Sequence, residues 1–443
     1  MNDNSIQEWL NNEKTISKSV KPYSHFDFKT NIVSSWDYIS DPSKVAKHGF
    51  YPFIHYEQKQ IKFHKKKGKK IKVRNIYYAA HIDSCIYQYY SFLLNEKYND
   101  RVKNDNLSDV AVAYRTDLGK SNIHFAKSAF DFIQNSDTCY IMIGDFTDFF
   151  DTLEHNYLKY RICDLMGTNC LPNDYYSVFK NVTKYSYVEL TDLLELNQLE
   201  DTPTGRYHLN NKAKVLDTDK FRENKEKLVR KNQNNYGIPQ GSPISALFAN
   251  IYMLDCDKRI HELVLQYNGF YMRYSDDFII VIPNVSENKM ITIYSKIKYI
   301  LNSIPNLKLQ QEKTQFYSFI NNSLKNCGNK FGERADISNR FINFLGFTFD
   351  GQQIFIRDKT ISKYYYRMYR KAKTIAKSHG YSKYGKKISN EMIYKRYSIK
   401  GAYDKPGNFI TYVDRAQRMF NNQKSINAKT KNHMQKIKKA IGK

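Results

Sequence analysis

Two adjacent carboxylates, Asp276 and Asp277, stand between two short runs rich in β-forming residues, 271–274 and 278–281. This pattern predicts a hairpin with the acids at its tip. Successive side chains of extended chain point to opposite faces, so one acid should dominate any metal site, and we favour Asp276. Asp pairs also occur in ordinary surface turns without any chemical role. The pair therefore gains weight only from the motifs that accompany it.

A third acid follows another apolar run. Residues 140–144, Tyr-Ile-Met-Ile-Gly, lead directly into Asp145, which predicts a buried strand that ends in an acid and invites a partner acid. Between the two acidic motifs lies a turn sequence, Gly-Ile-Pro-Gln-Gly, at 237–241. An apolar run follows it, which predicts a helix with Ser242 as N-cap and Pro243 in the first turn.

The three motifs, in this order, resemble the palm of reverse transcriptases. In that family the first acid corresponds to Asp145, the turn to 239–243, and the paired acids to Asp276 and Asp277. The Ser-Pro-Ile-Ser wording is shared with bacterial group II intron and retron enzymes, although those members more often carry Ala in place of Ser275. The resemblance implies an α+β fold, a right-hand polymerase with fingers, a palm of antiparallel sheet plus helices, and a helical thumb.

The resemblance also implies the chemistry of nucleotide addition. Asp145 and Asp276 would bridge two Mg²⁺ ions about 3.5–4 Å apart, with Mn²⁺ as an alternative ion. Asp277 would support these ions, and the backbone carbonyl of Phe146 would be a further ligand, since Mg²⁺ prefers hard oxygen donors. Lys313 would protonate the leaving pyrophosphate, a role typically worth ~10²–10⁴-fold in rate.

Residues 61–76 alternate around a Lys-Gly turn and predict a basic β-hairpin. A solvated hairpin without a specific role is one interpretation. The resemblance implies instead that it lies in the fingers, where Arg74 and one lysine of 65–67 hold the incoming triphosphate. The choice among these lysines stays open, and we assign nucleotide binding to the middle one, Lys66. The neighbouring lysines assigned to nucleic-acid binding are Lys65, Lys67 and Lys69.

Three further residues are implied to lie near the nucleotide. Phe150, five positions beyond Asp145, has the place of the ring that packs against C2′ of the incoming sugar, unless it is simply a core aromatic. Gln240 would lie beneath the templating base pair. Arg115 follows Tyr114 in a block that the family normally writes Gly-Phe-Arg-Pro. A contact of Arg115 with template or nucleotide competes with an ion pair at the edge of the core.

Composition favours a nucleic-acid partner. The 443 residues include 70 Lys+Arg against 44 Asp+Glu, a net charge of +26, together with 37 Tyr and 27 Phe. Positive charge attracts a polyanion and aromatic faces stack bases. A proteome rich in Lys and Asn accounts for part of the charge but not for its clustering. From about 356 the sequence is helical and basic, and we assign Tyr365, Arg367 and Arg370 to nucleic-acid binding there.

These patterns predict four consecutive regions. They are an N-terminal extension (1–55), fingers (56–135), a palm (136–355) with a helical and loop insertion at 152–235, and a basic helical thumb (356–443). Within the insertion, the polar stretch 197–216 predicts a loop or small ribbon. Six scattered cysteines are expected to be reduced core residues. With no signal-peptide pattern and no apolar run of membrane length, we expect a soluble, cytoplasmic protein without membrane contact.

The function implied is an RNA-directed DNA polymerase that makes a DNA product from dNTPs on an RNA template. Tyr-Arg at 114–115, followed by Lys-Ser-Asn at 120–122, resembles bacterial abortive-infection and other anti-phage defence members. A dedicated noncoding RNA template and assembly with another copy or another defence protein would follow from that group. A template-relaxed or protein-primed DNA polymerase is the alternative. An inactive nucleic-acid-binding scaffold is disfavoured by the retained acids.

Overall fold

The structure, a computed structural model, describes residues 3–64, 68–332, 340–381, 387, 389–404 and 407–442. The predicted contacts Lys65, Lys66 and Lys67 lie outside these residues, as does the side chain of Lys69. Helices and sheets are both present, so the predicted α+β class is confirmed.

The α-helices of the described residues are, in chain order, α1 (Asp3–Asn11), α2 (Glu13–Ser19), α3 (Trp36–Ile39), α4 (Pro42–Ala46), α5 (His81–Asn104), α6 (Asn122–Gln134), α7 (Phe149–Thr152), α8 (His155–Met166), α9 (Asn173–Thr183), α10 (Leu190–Leu196), α11 (Pro203–Asn210), α12 (Thr218–Leu228), α13 (Ser245–Tyr252), α14 (Leu254–Leu265), α15 (Glu287–Asn302), α16 (Asp358–Ser378), α17 (Asn390–Tyr397), α18 (Phe409–Met419), α19 (Lys424–Asn427) and α20 (His433–Ala440).

The strands are β1 (Phe53–His64), β2 (Gly68–Tyr78), β3 (Thr138–Asp145), β4 (Ser186–Glu189), β5 (Arg230–Lys231), β6 (Phe270–Tyr274), β7 (Asp277–Pro283), β8 (Gln315–Ile320), β9 (Ser323–Asn326), β10 (Ile342–Phe344), β11 (Phe347–Phe349) and β12 (Ile354–Ile356). Short 3₁₀ turns occur at Gln311–Lys313, Gly328–Phe331 and Ile399–Gly401.

The chain divides into two compact units that are interleaved in sequence. The first unit comprises Met1–Ser108, Asp148–Lys258 and Leu301–Lys308. The second unit comprises Asp109–Thr147, Arg259–Ile300 and Leu309–Lys443. The four consecutive regions expected from the sequence stay a prediction.

The first unit contains a four-stranded sheet in the order β2-β1-β4-β5. The predicted basic hairpin is confirmed as the antiparallel pair of β1 and β2, and it is longer than the pattern indicated. Strand β1 pairs in parallel with β4, with Phe53 opposite Tyr187. Apolar residues of the sheet and of α10 form the core beneath it, among them Ile54, Val188 and Leu193.

Two local predictions in the first unit are wrong. The stretch expected to be a loop or ribbon contains α11, because Thr202 caps it by accepting a hydrogen bond from Gly205 N at 3.1 Å and Pro203 occupies its first turn. The helix after the Gly-Pro turn begins at Ser245, so Ser242 is not its N-cap. Instead, Ser245 Oγ donates to the carbonyl of Pro239 at 2.7 Å and ties the helix to the turn.

The second unit contains a five-stranded antiparallel sheet in the order β6-β7-β3-β8-β9 and a three-stranded sheet in the order β10-β11-β12. Strand β3 is central, which explains its nearly continuous apolar sequence. One core joins residues of this sheet with residues of β11, α6, α16 and α18, including Ile141, Phe130, Phe349, Met368 and Val413. The basic helical segment therefore shares its core with the sheet that carries the acids.

The predicted burial of the cysteines is confirmed with one exception. Five are buried and free, whereas Cys170 is exposed, because it lies between α8 and α9. Within the described ranges, the structure contains no helix with the length and apolar character needed to cross a membrane.

Candidate active site

The second unit brings three acids to one end of its five-stranded sheet. Asp145 is the last residue of β3 and Asp277 the first residue of β7, and the antiparallel register places them opposite each other. The backbone N–H of Phe146 donates to the carbonyl of Asp276 at 3.2 Å. The two acidic motifs, about 130 residues apart in sequence, are thus joined by the pairing of β3 with β7.

Close packing fixes the strand end that carries Asp145. A Cβ atom added to Gly144 would lie 2.3 Å from the ring of Phe278, which is fully buried in the neighbouring strand. Any larger residue at 144 would have to displace that buried ring. Glycine is therefore required by the packing of the site.

The turn that presents the paired acids, residues 274–277, is called the acidic turn below. Ser275 lies in the left-handed region with φ +63° and is buried. Arg273, also buried, donates from Nη1 to the carbonyl of Ser275 at 2.9 Å. Tyr114 Oη and Ser275 Oγ are 2.9 Å apart and share a hydrogen bond. Two groups outside the turn thus hold its second residue.

The neighbouring acids make the ionisation of Asp277 less favourable. Asp277 is an exposed residue. Partial desolvation of its carboxyl, followed by the negative charges of Asp276 and Asp145, raises its pKa to about 7. A hydrogen bond with the Asp145 carboxylate also favours the protonated form of Asp277. The site therefore concentrates negative charge that a cation would relieve.

A cation from the chain itself already lies at Asp145. Lys313 Nζ donates to Asp145 Oδ2 at 2.7 Å. The backbone places this lysine, because Gln310 N donates to the carbonyl of Asp145 at 2.8 Å and Leu309 forms an isolated bridge with Phe146. The predicted proton donor and the first acid are thus brought together.

The donor chemistry fits a hard divalent cation, since carboxylate oxygens are the ligands that Mg²⁺ prefers. Over the parts of the chain that the structure describes, no group of three His, Cys, Asp or Glu side chains has the arrangement of a preformed metal site. The lysine at Asp145 and the hydrogen bond between Asp145 and Asp277 engage the oxygens that a metal would use. The three acids therefore lie close together, but the carboxylates of Asp145 and Asp277 bind protein groups in this structure.

Arg115 makes the ion pair that the sequence left open. Its guanidinium is buried and donates from Nη2 to Asp117 Oδ2 at 2.6 Å. A contact of Arg115 with template or nucleotide stays a prediction.

The other predicted nucleotide contacts belong to the first unit. Arg74 is exposed on β2, opposite Gln58 of β1. Phe150 is partly buried in α7, with its ring centroid 5.7 Å from that of Phe149. Gln240 Nε2 lies 3.3 Å from Asp151 Oδ2, and the carbonyl of Gln240 accepts from Tyr77 N at 2.8 Å.

The basic helix α16 divides its predicted contacts between surface and core. Arg367 and Arg370 are exposed. Tyr365 is buried, its hydroxyl donates to the carbonyl of Lys429 at 3.0 Å, and the ammonium of Lys436 lies 3.9 Å from its ring centroid. Burial leaves Tyr365 no open face for a base, which corrects its assignment to nucleic-acid binding.

Sequence reasoning missed the aromatic residues of α16 that are exposed. Tyr366 and Tyr369 are 65% and 45% exposed, and both are therefore able to stack on a base. The helical period was the available signal: 365, 368 and 372 share the buried face, so 366 and 369 fall outside it. Arg273 and the hydroxyl pair of Tyr114 with Ser275 were also missed. The signal for that pair was the presence of hydroxyls at two motif positions where the family carries none.

Residues 93–349 match the family described as reverse transcriptase (RNA-dependent DNA polymerase). None of the curated protein sequences compared with the chain matches it significantly.

Solved telomerase structures from two Candida species are similar to the chain at 14% identity. Apo telomerase from Candida tropicalis truncated from its C-terminal domain aligns over 74% of this chain and 61% of that one, with a TM-score of 0.42. Apo telomerase from the same species aligns over 93% and 64%, with a TM-score of 0.41. Telomerase from Candida albicans in complex with a TWJ fragment of telomeric RNA aligns over 93% and 65%, with a TM-score of 0.35. The chain spans less than two thirds of each of these telomerase chains.

Proposed function

Since the chain belongs to the reverse transcriptase family, we propose that it is an RNA-directed DNA polymerase that adds dNTPs to the 3′ end of a DNA strand on an RNA template. The observation that carries this proposal is the meeting of Asp145, Asp276 and Asp277 at one end of the five-stranded sheet. Acids gathered in this way would hold divalent cations, which would offset the negative charge of the phosphates as pyrophosphate leaves.

The carboxylates of Asp145 and Asp276, with Asp277 beside them and the carbonyl of Phe146, would hold the metal ions. The chemistry that two Mg²⁺ ions, or Mn²⁺ in their place, would supply there is activation of the 3′-hydroxyl and neutralisation of the leaving pyrophosphate. Lys313 Nζ donates a hydrogen bond to Asp145 and would pass a proton to the leaving pyrophosphate. In this scheme the carboxylates hold the metal ions and the lysine transfers the proton.

The remaining residues position the substrates in this proposal. Arg74, exposed on the basic hairpin, would pair with the triphosphate, because a guanidinium forms two parallel hydrogen bonds to phosphate. Phe150 would exclude the 2′-hydroxyl, and Gln240 would support the templating pair. Arg367 and Arg370 on α16 would neutralise phosphates of the duplex. In these terms 56–135 acts as fingers, 136–355 as palm and 356–443 as thumb, after an N-terminal extension.

The finer assignment is to bacterial anti-phage defence with a dedicated noncoding RNA as template. The Ser-Pro-Ile-Ser wording at 242–245 and the Tyr-Arg block at 114–115 support it, since both resemble bacterial members of the family. A reducing, cytoplasmic setting is part of the proposal and is supported by cysteines that form no disulfide. Assembly with a second copy or another defence protein completes it.

The test is loss of polymerisation when a metal-ligand charge is removed without a change of shape. Asp145→Asn and Asp276→Asn should each lower dNTP incorporation on an RNA template with a DNA primer by at least roughly 10²-fold. Asp219→Asn, an exposed acid of α12, is the matched control and should retain wild-type activity. Circular dichroism and RNA binding should be unchanged in all three variants.

Ordinary extension by either active-site variant would refute the assignment. Sequencing the product of the wild type decides between the candidate reactions. Template-free DNA, or DNA covalently attached to a protein hydroxyl, would replace RNA templating by the template-relaxed or protein-primed alternative.

A further inference from the structure

The acidic turn is connected to a separate segment of the second unit by two hydroxyl groups. Tyr114 Oη and Ser275 Oγ lie 2.9 Å apart, and either group can be the donor. Tyr114 stands where the family writes Phe, and Ser275 where bacterial members more often have Ala. Neither usual residue carries a hydroxyl, so this hydrogen bond requires both departures together.

The backbone at both ends of the bond has a strained conformation. Tyr114 has φ +65° and Ser275 has φ +63°. Positive φ is uncommon for residues other than glycine, and for a side chain as bulky as that of Tyr114 it is a genuine outlier. Such conformations persist only where the surroundings over-determine them, and they cluster at functional sites. The geometry of the turn is therefore imposed by its contacts.

Backbone contacts anchor the segment that carries Tyr114. Arg273 N donates to the carbonyl of Val110 at 2.7 Å, and Val112 N donates to the carbonyl of Arg273 at 3.1 Å. Ala111 forms a parallel bridge with Arg273, so 110–112 lies as a short extra edge beside β6. Residues 110–113 are buried. Tyr114 follows Val112, the last residue anchored in this way, by two positions, so the backbone that leads to it is fixed.

Packing covers only about half of Tyr114. The residue is 50% exposed, although its hydroxyl is engaged with the buried Ser275. The guanidinium of Arg273 holds the carbonyl of Ser275, and Tyr114 holds the hydroxyl of the same residue. Ser275, the residue immediately before the paired acids, is consequently held by hydrogen bonds at its backbone and at its side chain.

We propose that Tyr114 is a positioning residue for the paired acids, which acts through Ser275 to fix the acidic turn in the conformation that polymerisation requires. The proposal rests on the proposed function, because nucleotide addition is the reaction in which positioning is measured. Restraint by one hydroxyl pair predicts that either hydroxyl is useless without the other.

The experiment is a double-mutant cycle of Tyr114→Phe, Ser275→Ala and the combination of both. Each single variant should lower kcat roughly five-fold, as expected for one hydrogen bond, with KM for dNTP near the wild-type value. The double variant should be no slower than either single variant, because both single variants remove the same interaction. Tyr412→Phe is the matched control: it removes a hydroxyl that accepts from Asn122 at 3.1 Å elsewhere in the second unit, and kcat should not change.

The outcomes separate this inference from the function on which it rests. A wild type that does not incorporate dNTPs refutes the proposed function, and the positioning role falls with it. With an active wild type, an unchanged kcat in Tyr114→Phe or multiplicative losses in the double variant overturn the inference alone. A raised KM for dNTP or primer–template at constant kcat also overturns it, since Tyr114 would then bind substrate directly.

Discussion

Asp277 faces Asp145 across the register of β3 and β7, and its charge is costly in the absence of a cation. The pKa of its carboxyl is raised from 3.8 to about 7, chiefly by desolvation and then by the neighbouring acids. A carboxyl with a raised pKa in the folded state favours folding at low pH. That contribution is present below about pH 4 and is lost as the pH rises through 7.

Replacement of Asp277 by Asn should therefore stabilise the metal-free protein at high pH. In EDTA at pH 8 we expect Asp277→Asn to raise Tm by about 1–3 °C, and near pH 4 the difference should vanish. Thermal unfolding followed by circular dichroism across this range is the measurement, with Asp219→Asn as control. A variant that is less stable than the wild type at pH 8 would contradict the charge repulsion described for the site.

Phe150 allows the choice of sugar to be tested at a single residue. If its ring packs against C2′, the wild type should strongly prefer dGTP to GTP, and Phe150→Val should lower the ratio of their kcat/KM values by at least roughly 10-fold. Use of dGTP should fall only modestly. The control is Phe149→Leu, which alters the buried neighbour and should leave the ratio unchanged. A wild-type ratio near one would show that the enzyme is not a dedicated DNA polymerase.

At the scale of elements, the turn before α13 is pinned to strand β2. Gly241 has φ +120°, and a Cβ atom added there would lie 2.4 Å from the carbonyl of Tyr77. The carbonyl of Gln240 accepts from the N–H of the same tyrosine at 2.8 Å. The turn therefore approaches β2 as closely as backbone allows, and only glycine permits both the dihedral angle and the contact.

Gly241→Ala should destabilise the first unit by about 2–4 kcal/mol, because backbone strain and a clash with a carbonyl oxygen combine. Gly167→Ala separates these two causes: Gly167, also in the first unit, has positive φ, at +67°, but the space around it is open. That variant should cost about 1 kcal/mol. The shift of the denaturation midpoint measures both. Equal shifts would mean that the clash with Tyr77 is relieved without cost.

Local signals were enough to predict the elements that carry the acids. Apolar runs bounded by Gly, Pro or paired Asp identified β3, β6, β7 and the helix after the turn. The predictions that were wrong depended on contacts between residues distant in sequence or on one helix-capping hydrogen bond. The hydrogen bond to Thr202 made a helix of a polar stretch, and packing against Lys429 and Lys436 buried Tyr365. The ion pair of Lys313 with Asp145 also joins residues that no local pattern relates.

On the scale of the whole molecule, the net charge of +26 predicts binding to a polyanion. A test of this prediction has to change the charge without disturbing the hydrophobic core. Truncation before Tyr364 is a poor test of the basic segment, because that segment contributes Tyr364, Met368 and Val413 to the core of the second unit. Removal of these side chains would expose the core as well as delete charge. Substitution of exposed cations leaves the core intact and isolates the electrostatic contribution.

The double variant Arg367→Gln and Arg370→Gln should weaken primer–template binding and reduce its dependence on salt. Each phosphate that the protein no longer neutralises lowers the slope of log Kd against log salt by about 0.9, so the pair should lower it by roughly two. Arg222→Gln with Lys225→Gln, two exposed cations of α12, is the control and should leave the slope unchanged. A wild-type slope in the α16 variant would remove these arginines from the duplex path.

The central position of β3 has a consequence for biosynthesis. Its hydrogen-bonding neighbours are β7 and β8, which begin about 130 and 170 residues further along the chain. Ribosomes add about 5–20 residues per second, so both edges of this apolar strand lack their native partners for on the order of ten to thirty seconds. During that interval Ile141, Met142 and Ile143 form an aggregation-prone segment that chaperones are suited to shield. The strand that carries Asp145 therefore stays unpaired until most of the chain described above has been synthesised.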